Sequence, residues 1–151
     1  MHNTHTHTYT YIFFAVLALV LIVVLYYYLK PSINETIIVE YLKYYNNVIK
    51  VLETSINDAT ILSPEVKKEF LAVSLKSKDD INKPDNRKQM LDMMKESPNN
   101  QALYDNFVFL VNKIKEGINI GYNVILTDKN KEDLKKMHDD FVEKIKKMLL
   151  Q

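Results

Sequence analysis

Apolar and polar positions divide the chain into two regimes. From Tyr11 to Leu29, nineteen residues run YIFFAVLALVLIVVLYYYL without a charge, proline, glycine, asparagine or glutamine. A helix of that length spans roughly 28 Å, close to a hydrocarbon core of about 30 Å. Thirteen of the nineteen are Leu, Ile, Val or Phe. Each favours insertion by about 0.3 to 0.6 kcal/mol at the bilayer centre, so together they supply at most roughly 4 to 8 kcal/mol. The pattern predicts a transmembrane helix over 11–29, a short polar tail over 1–10 and a water-facing helical domain over 30–151.

The borders of the apolar run fit that reading. Tyr11, Phe13 and Phe14 mark one end, and Tyr26, Tyr27 and Tyr28 the other. Aromatic rings collect at the headgroup layer, and the Lys30 side chain can extend its ammonium towards phosphates. A cleaved export signal needs a basic leader, an apolar core of about 7 to 15 residues and small residues before the cut. MHNTHTHTYT carries no Lys or Arg, and YYYLK offers bulky residues instead. A permanent anchor is the expectation.

Beyond Pro31 the spacing turns helical. Ser32-Ile33-Asn34-Glu35 has the form of a capping box. Ile38, Leu42, Tyr45, Ile49, Leu52 and Ile56 then recur in steps of four and three, the seam of a short heptad pattern. Positions beside this seam hold Val39, Tyr41 and Val48 rather than charges, so the helix demands contact around most of its circumference. The centre of a bundle satisfies most of that demand. A partner protein docking on Tyr41, Tyr44, Tyr45 and Val48 is the functional alternative.

Ser63-Pro64-Glu65 marks another helix start, with Val66, Phe70, Val73 and Leu75 as its apolar residues. Residues 77–86 read as a polar turn. Pro84 opens a short helix whose Met90, Leu91, Met93 and Met94 read as soft core packing. Ser97-Pro98 repeats the start signal before a face of Leu103, Phe107, Leu110, Val111 and Ile114, with Gly117 as its C-cap. Ile118, Ile120, Tyr122, Val124 and Leu126 then alternate, which argues for an extended segment over 118–126, a connector or a strand awaiting another chain, with a continuation of the helix as the alternative. A last helix starts at Thr127 or Asp128 and carries Leu134, Met137, Phe141, Ile145, Met148 and Leu149 on one stripe. Its late Lys144, Lys146 and Lys147 suit the helix dipole, and Asp140 and Glu143 stand four residues before Lys144 and Lys147. The fold class is therefore mainly α: one transmembrane helix, then a bundle of about four or five helices.

Charge adds one exclusion. Apart from Lys30, 19 basic residues face 19 acidic ones beyond position 30, so the domain is formally neutral. Nucleic-acid binders draw most of their affinity from a basic face, and no nucleic-acid partner is expected. There are no cysteines, which removes disulfides and thiolate chemistry. Arg87 is the single arginine; this bias towards lysine, with abundant Asn and Ile, fits an AT-rich genome, whether of a bacterium, a protozoan or a large DNA virus.

Candidate chemistry is sparse. His2, His5 and His7 lie in a tail with no carboxylate to organise a metal, so no metal or other cofactor is expected. His138-Asp139 has the two-letter core of a metal phosphohydrolase motif, but no further histidine follows residue 7 to complete a ligand set. Two glycines, Gly117 and Gly121, cannot build a phosphate loop. No cooperating nucleophile and base stand out, and the chain is expected not to be an enzyme.

The expectation is a single-pass, membrane-anchored structural or adaptor protein that contacts lipid and a protein partner. The absence of Lys and Arg before the span, against Lys30, Lys43 and Lys50 after it, places the N-terminus outside and the domain in the cytosol. A virion component joining an internal membrane to a capsid is a narrower version, resting on composition. The alternative is a membrane-remodelling or fusion factor zippering residues 33–56 onto partner helices.

Overall fold

The computed structural model describes residues 3–29 and 32–151, with side chains from Thr8 onward except Tyr27 and Leu29. Six helices follow in order: α1 Asn3–Leu29, α2 Ile33–Asp58, α3 Pro64–Ile81, α4 Pro84–Glu96, α5 Asn100–Gly121 and α6 Asp128–Leu150. The chain forms two units, Met1–Ser32 and Ile33–Gln151. Among the described residues there is no strand.

The first unit is α1. Its helix begins at Asn3, so it reaches back over the His/Thr segment expected to be a tail. Nucleation is the costly step in helix formation, and extension from an apolar helix adds one hydrogen bond per residue fixed. Thr8–Tyr26 is long and apolar enough to cross a membrane, and none of it is buried within the protein.

The second unit is a five-helix bundle built around α2. Ile37, Ile38 and Ile56 of α2 are wholly buried. α2 packs against α3, α4 and α6, and α6 also packs along α5. An aromatic cluster fills the centre. The Tyr44 ring stacks on Phe141 with centroids 4.6 Å apart. Tyr41 lies 5.8 Å from both Phe107 and Phe141. Phe107, Val111, Phe141 and Ile145 come from the faces read on α5 and α6, and Met90 and Met94 join the same core from α4.

Helix starts follow local chemistry. The Ser63 hydroxyl accepts from the Val66 amide, with Pro64 in the first turn. Thr127 caps α6 by accepting from the Asn130 amide at 3.1 Å. α5 departs from expectation: its cap is Asn99, which accepts from the Ala102 amide at 2.8 Å. Ser97 instead closes α4, its hydroxyl donating to the Met93 carbonyl. An Asn side chain is as good a cap as Ser, and the proline gives no choice between them.

Two boundaries also moved. α3 continues through the polar stretch to Ile81, and the turn before α4 is only Asn82 and Lys83. α5 runs past Gly117 to Gly121, and residues 122–127 form a turn rather than an extended segment. The alternation over 118–126 contains a step of four. Ile118, Tyr122 and Leu126 turn inward, whereas Ile120 and Val124 are about 80% exposed, at 79% and 80%. A repeat of two cannot separate a strand from a helix end when every second apolar residue faces solvent.

Candidate functional site

On α1, the expected interfacial residues Tyr11, Phe13, Phe14, Tyr26 and Tyr28 are all exposed. Tyr27 and Lys30 lie outside the described side chains. The middle of the helix is equally uncovered: Leu19, Leu21 and Ile22 are more than half exposed. Apolar exposure around a whole helix suits hydrocarbon and not water.

The candidate partner-binding residues have a different place. Tyr41, Tyr44 and Val48 are buried, and Tyr45 is half-buried. They are core residues of the bundle, so they do not form an open docking face. The contact that α2 demands is supplied by α3, α4 and α6, with Phe107 of α5 against Tyr41. Burial pushes the Tyr41 hydroxyl up to about 12 and raises Tyr44 further, so both stay protonated.

His138 is the one buried histidine among the described side chains, 4% exposed. The Tyr44 hydroxyl sits 2.5 Å from its Nδ1. The hydrogen bond joins a protonated phenol to a neutral imidazole, and its direction follows the imidazole tautomer. The neighbouring Asp139 turns outward, with Lys115 Nζ 3.9 Å from its carboxylate. Burial first, and the Lys115 charge second, pull His138 from 6.5 down to about 4; Asp139 opposes them. The imidazole is neutral at pH 7 and holds α2 to α6. It also lines a cleft of about 300 Å³ between α5 and α6, rimmed by Lys115, Lys131 and Lys135.

A second cavity of about 270 Å³ lies among α2, α3 and α5. Val48, Ile49 and Leu52 come from α2, Ser74 and Ser77 from α3, and Ile114, Gly117 and Ile118 from α5. Sequence reading missed it because it turned Val66, Val73 and Leu75 of α3 inward along with Phe70, and only Phe70 packs inward. Val73 and Leu75 are 58% and 56% exposed, whereas Ser74 is buried and Phe70, Leu71, Ser77 and Ile81 are half-buried. The phase is set by contacts distant in sequence. Phe70 meets Tyr122 at 5.6 Å, Lys67 donates to the Asn57 carbonyl, and Asn82 exchanges amide hydrogen bonds with Asn46. Ser74 and Ser77, three residues apart, were the available signal.

The expected Asp140–Lys144 pairing along α6 gives way to a bond between helices, since Lys144 Nζ lies 2.8 Å from Glu40 of α2. No family model matches the chain, and neither a curated protein nor a solved structure is similar to it.

Proposed function

We propose that the protein is a non-enzymatic, single-pass membrane anchor that presents the Ile33–Gln151 bundle to a protein partner. One observation carries the reading: a helix apolar on all sides and wholly exposed is joined to a unit whose own core is closed. The first requires lipid and the second does not. The orientation that follows from the lysine asymmetry puts the bundle in the cytosol. A virion tether between an internal membrane and a capsid is one case of this proposal and rests on composition alone.

The zippering alternative is less favoured. Ile38, Ile49, Leu52 and Ile56, the seam it would use, are buried inside the bundle. Offering them to another helix would open the core. Partner contact is better placed on outward apolar side chains such as Val73, Leu75 and Phe109, each more than half exposed.

The test uses the full chain in native membranes. It should resist extraction by alkaline carbonate, and protease added to the cytosolic side should digest the bundle. A photo-crosslinker at Phe109 or Val73 should capture protein, while one at Tyr41 should not. Release of intact chain by carbonate would overturn the anchor. Crosslinking from Tyr41 alone would overturn the closed bundle as the presented form.

A further inference from the structure

The cleft between α5 and α6 gathers positive charge that its own walls do not neutralise. Lys131, Leu134, Lys135 and His138 share one face of α6, and Lys115 and Ile118 meet them from α5. No acidic residue lines the cleft. Lys115 has the Asp139 carboxylate 3.9 Å away. The ion pairs among the described residues include neither Lys131 nor Lys135. These two stand four positions apart, where like charges destabilise a helix. Lys131 also lies near the positive end of α6, where a cation is unfavourable. Helix stability alone would choose other residues at both positions, a local conflict of the kind functional sites retain.

His138 adds an independent sign. The Tyr44 hydroxyl engages its Nδ1. Among the described residues nothing bonds Nε2, and the fully covered side-chain polar atom without a partner is Ser74 Oγ. Nε2 therefore keeps accessible surface although the residue is only 4% exposed, and the cleft is the opening beside it. The Lys115 charge is near enough to work against a positive charge on the ring. Three ammoniums and an open ring nitrogen, set over Ile118, Leu126 and Leu134, complement a negative charge carried on an apolar body.

We propose that this cleft binds a small, water-soluble organic anion, an apolar body of one or two fused rings bearing a single carboxylate or phosphate. The anionic group sits among Lys115, Lys131 and Lys135 and accepts from His138 Nε2–H, and the apolar body covers Leu126 and Leu134. That contact selects the tautomer protonated on Nε2, with the Tyr44 hydroxyl donating to Nδ1. The size follows from volume. About 150 Å³ of apolar cavity accepts benzene, and about 300 Å³ stands at the lower end of small-molecule sites. A phospholipid headgroup or an inorganic anion would supply the charge but nothing to cover the apolar floor.

The test uses the full chain in phosphatidylcholine nanodiscs, with isoleucine and leucine methyl labels and nitrogen labels in the histidine rings. 1-Naphthoate is the probe, 1-naphthamide its neutral counterpart, and inorganic phosphate the anion without an apolar body. 1-Naphthoate should shift the methyls of Ile118, Leu126 and Leu134 saturably. It should bind about tenfold tighter than 1-naphthamide, the worth of one hydrogen bond to a charged group, and about tenfold or more tighter than phosphate. Its binding should move the His138 Nε2 resonance to that of a protonated nitrogen. Lys131→Gln combined with Lys135→Gln should erase the preference for the anion without lowering the unfolding midpoint, because two repelling charges are removed. Lys88→Gln combined with Lys95→Gln, at exposed positions of α4, should keep the preference. Absence of saturable shifts at these methyls, or equal affinity for 1-naphthoate and either comparison compound, would overturn the proposal. So would an equal loss in both double variants, or a His138 ring that does not respond. None of these outcomes bears on membrane anchoring.

Discussion

Acid should destabilise the bundle through His138 before its carboxylates contribute. In the unfolded chain the imidazole titrates at 6.5; in the folded one it does so at about 4. The folded pKa is depressed, so the neutral form stabilises the fold. That stabilisation is complete above 6.5 and is lost as pH falls towards 4, because only the unfolded state takes the proton readily. The full difference corresponds to about 3 kcal/mol, of which about 2 kcal/mol is lost between pH 7 and about pH 4.5. Tyr44 of α2, Lys115 of α5 and Asp139 of α6 surround the ring, with Lys131 and Lys135 at the cleft rim. Glu40 does not confuse this window. Its hydrogen bond to Lys144 holds it below 4.5, so its contribution is lost only at lower pH. Urea unfolding of the full chain in nanodiscs, followed by circular dichroism from pH 7 to 4.5, should show the midpoint falling. His138→Gln should start less stable, since it loses the Tyr44 contact, but its midpoint should vary little over the same range. A wild-type midpoint that stays flat, or a variant with an equal slope, would refute the reasoning. Proton resonances of the His138 ring should titrate near pH 4 and not near 6.5.

Other perturbations test other levels of the structure. Phe107→Ala removes a ring 1% exposed that lies against Tyr41 and Phe141, and should cost about 3 to 5 kcal/mol in urea unfolding. Thr127→Ala removes the cap of α6 and should cost about 1 kcal/mol, with fraying seen as faster amide exchange in residues 128–131. Leu19→Arg places a charge in the middle of α1, disfavouring insertion by about 3 kcal/mol, and should increase the carbonate-extractable fraction. Unaltered extraction would argue that α1 lies outside the hydrocarbon.

The Ser63 and Thr127 caps, Pro64 and Pro84 in first turns and the heptad of α2 were legible because each acts within about four residues, whereas Ser97-Pro98 misled because Asn99 is an equally good cap. The inner faces of α5 and α6 were legible for a related reason: Leu103, Phe107 and Val111, or Leu134, Phe141 and Ile145, are grouped apolar residues that leave one sensible orientation. The length and purity of Tyr11–Leu29 likewise fixed α1 as a helix able to cross a membrane, since hydrocarbon selects by composition and span alone. Which apolar faces would be satisfied within the chain was not legible. Tyr41, Tyr44, Tyr45 and Val48 read equally well as a docking surface or a core until Phe107 and Phe141 were brought against them. The Tyr44–His138 bond joins residues 94 positions apart, and no local spacing announces it. The phase of α3 depended on Tyr122, Asn57 and Asn46, all outside that helix. Local hydrogen bonding and hydrophobic spacing therefore set where helices begin and what they are. The rotation of each helix, and with it the burial of Ser74 and the neutrality of His138, was decided by packing between segments remote in the chain.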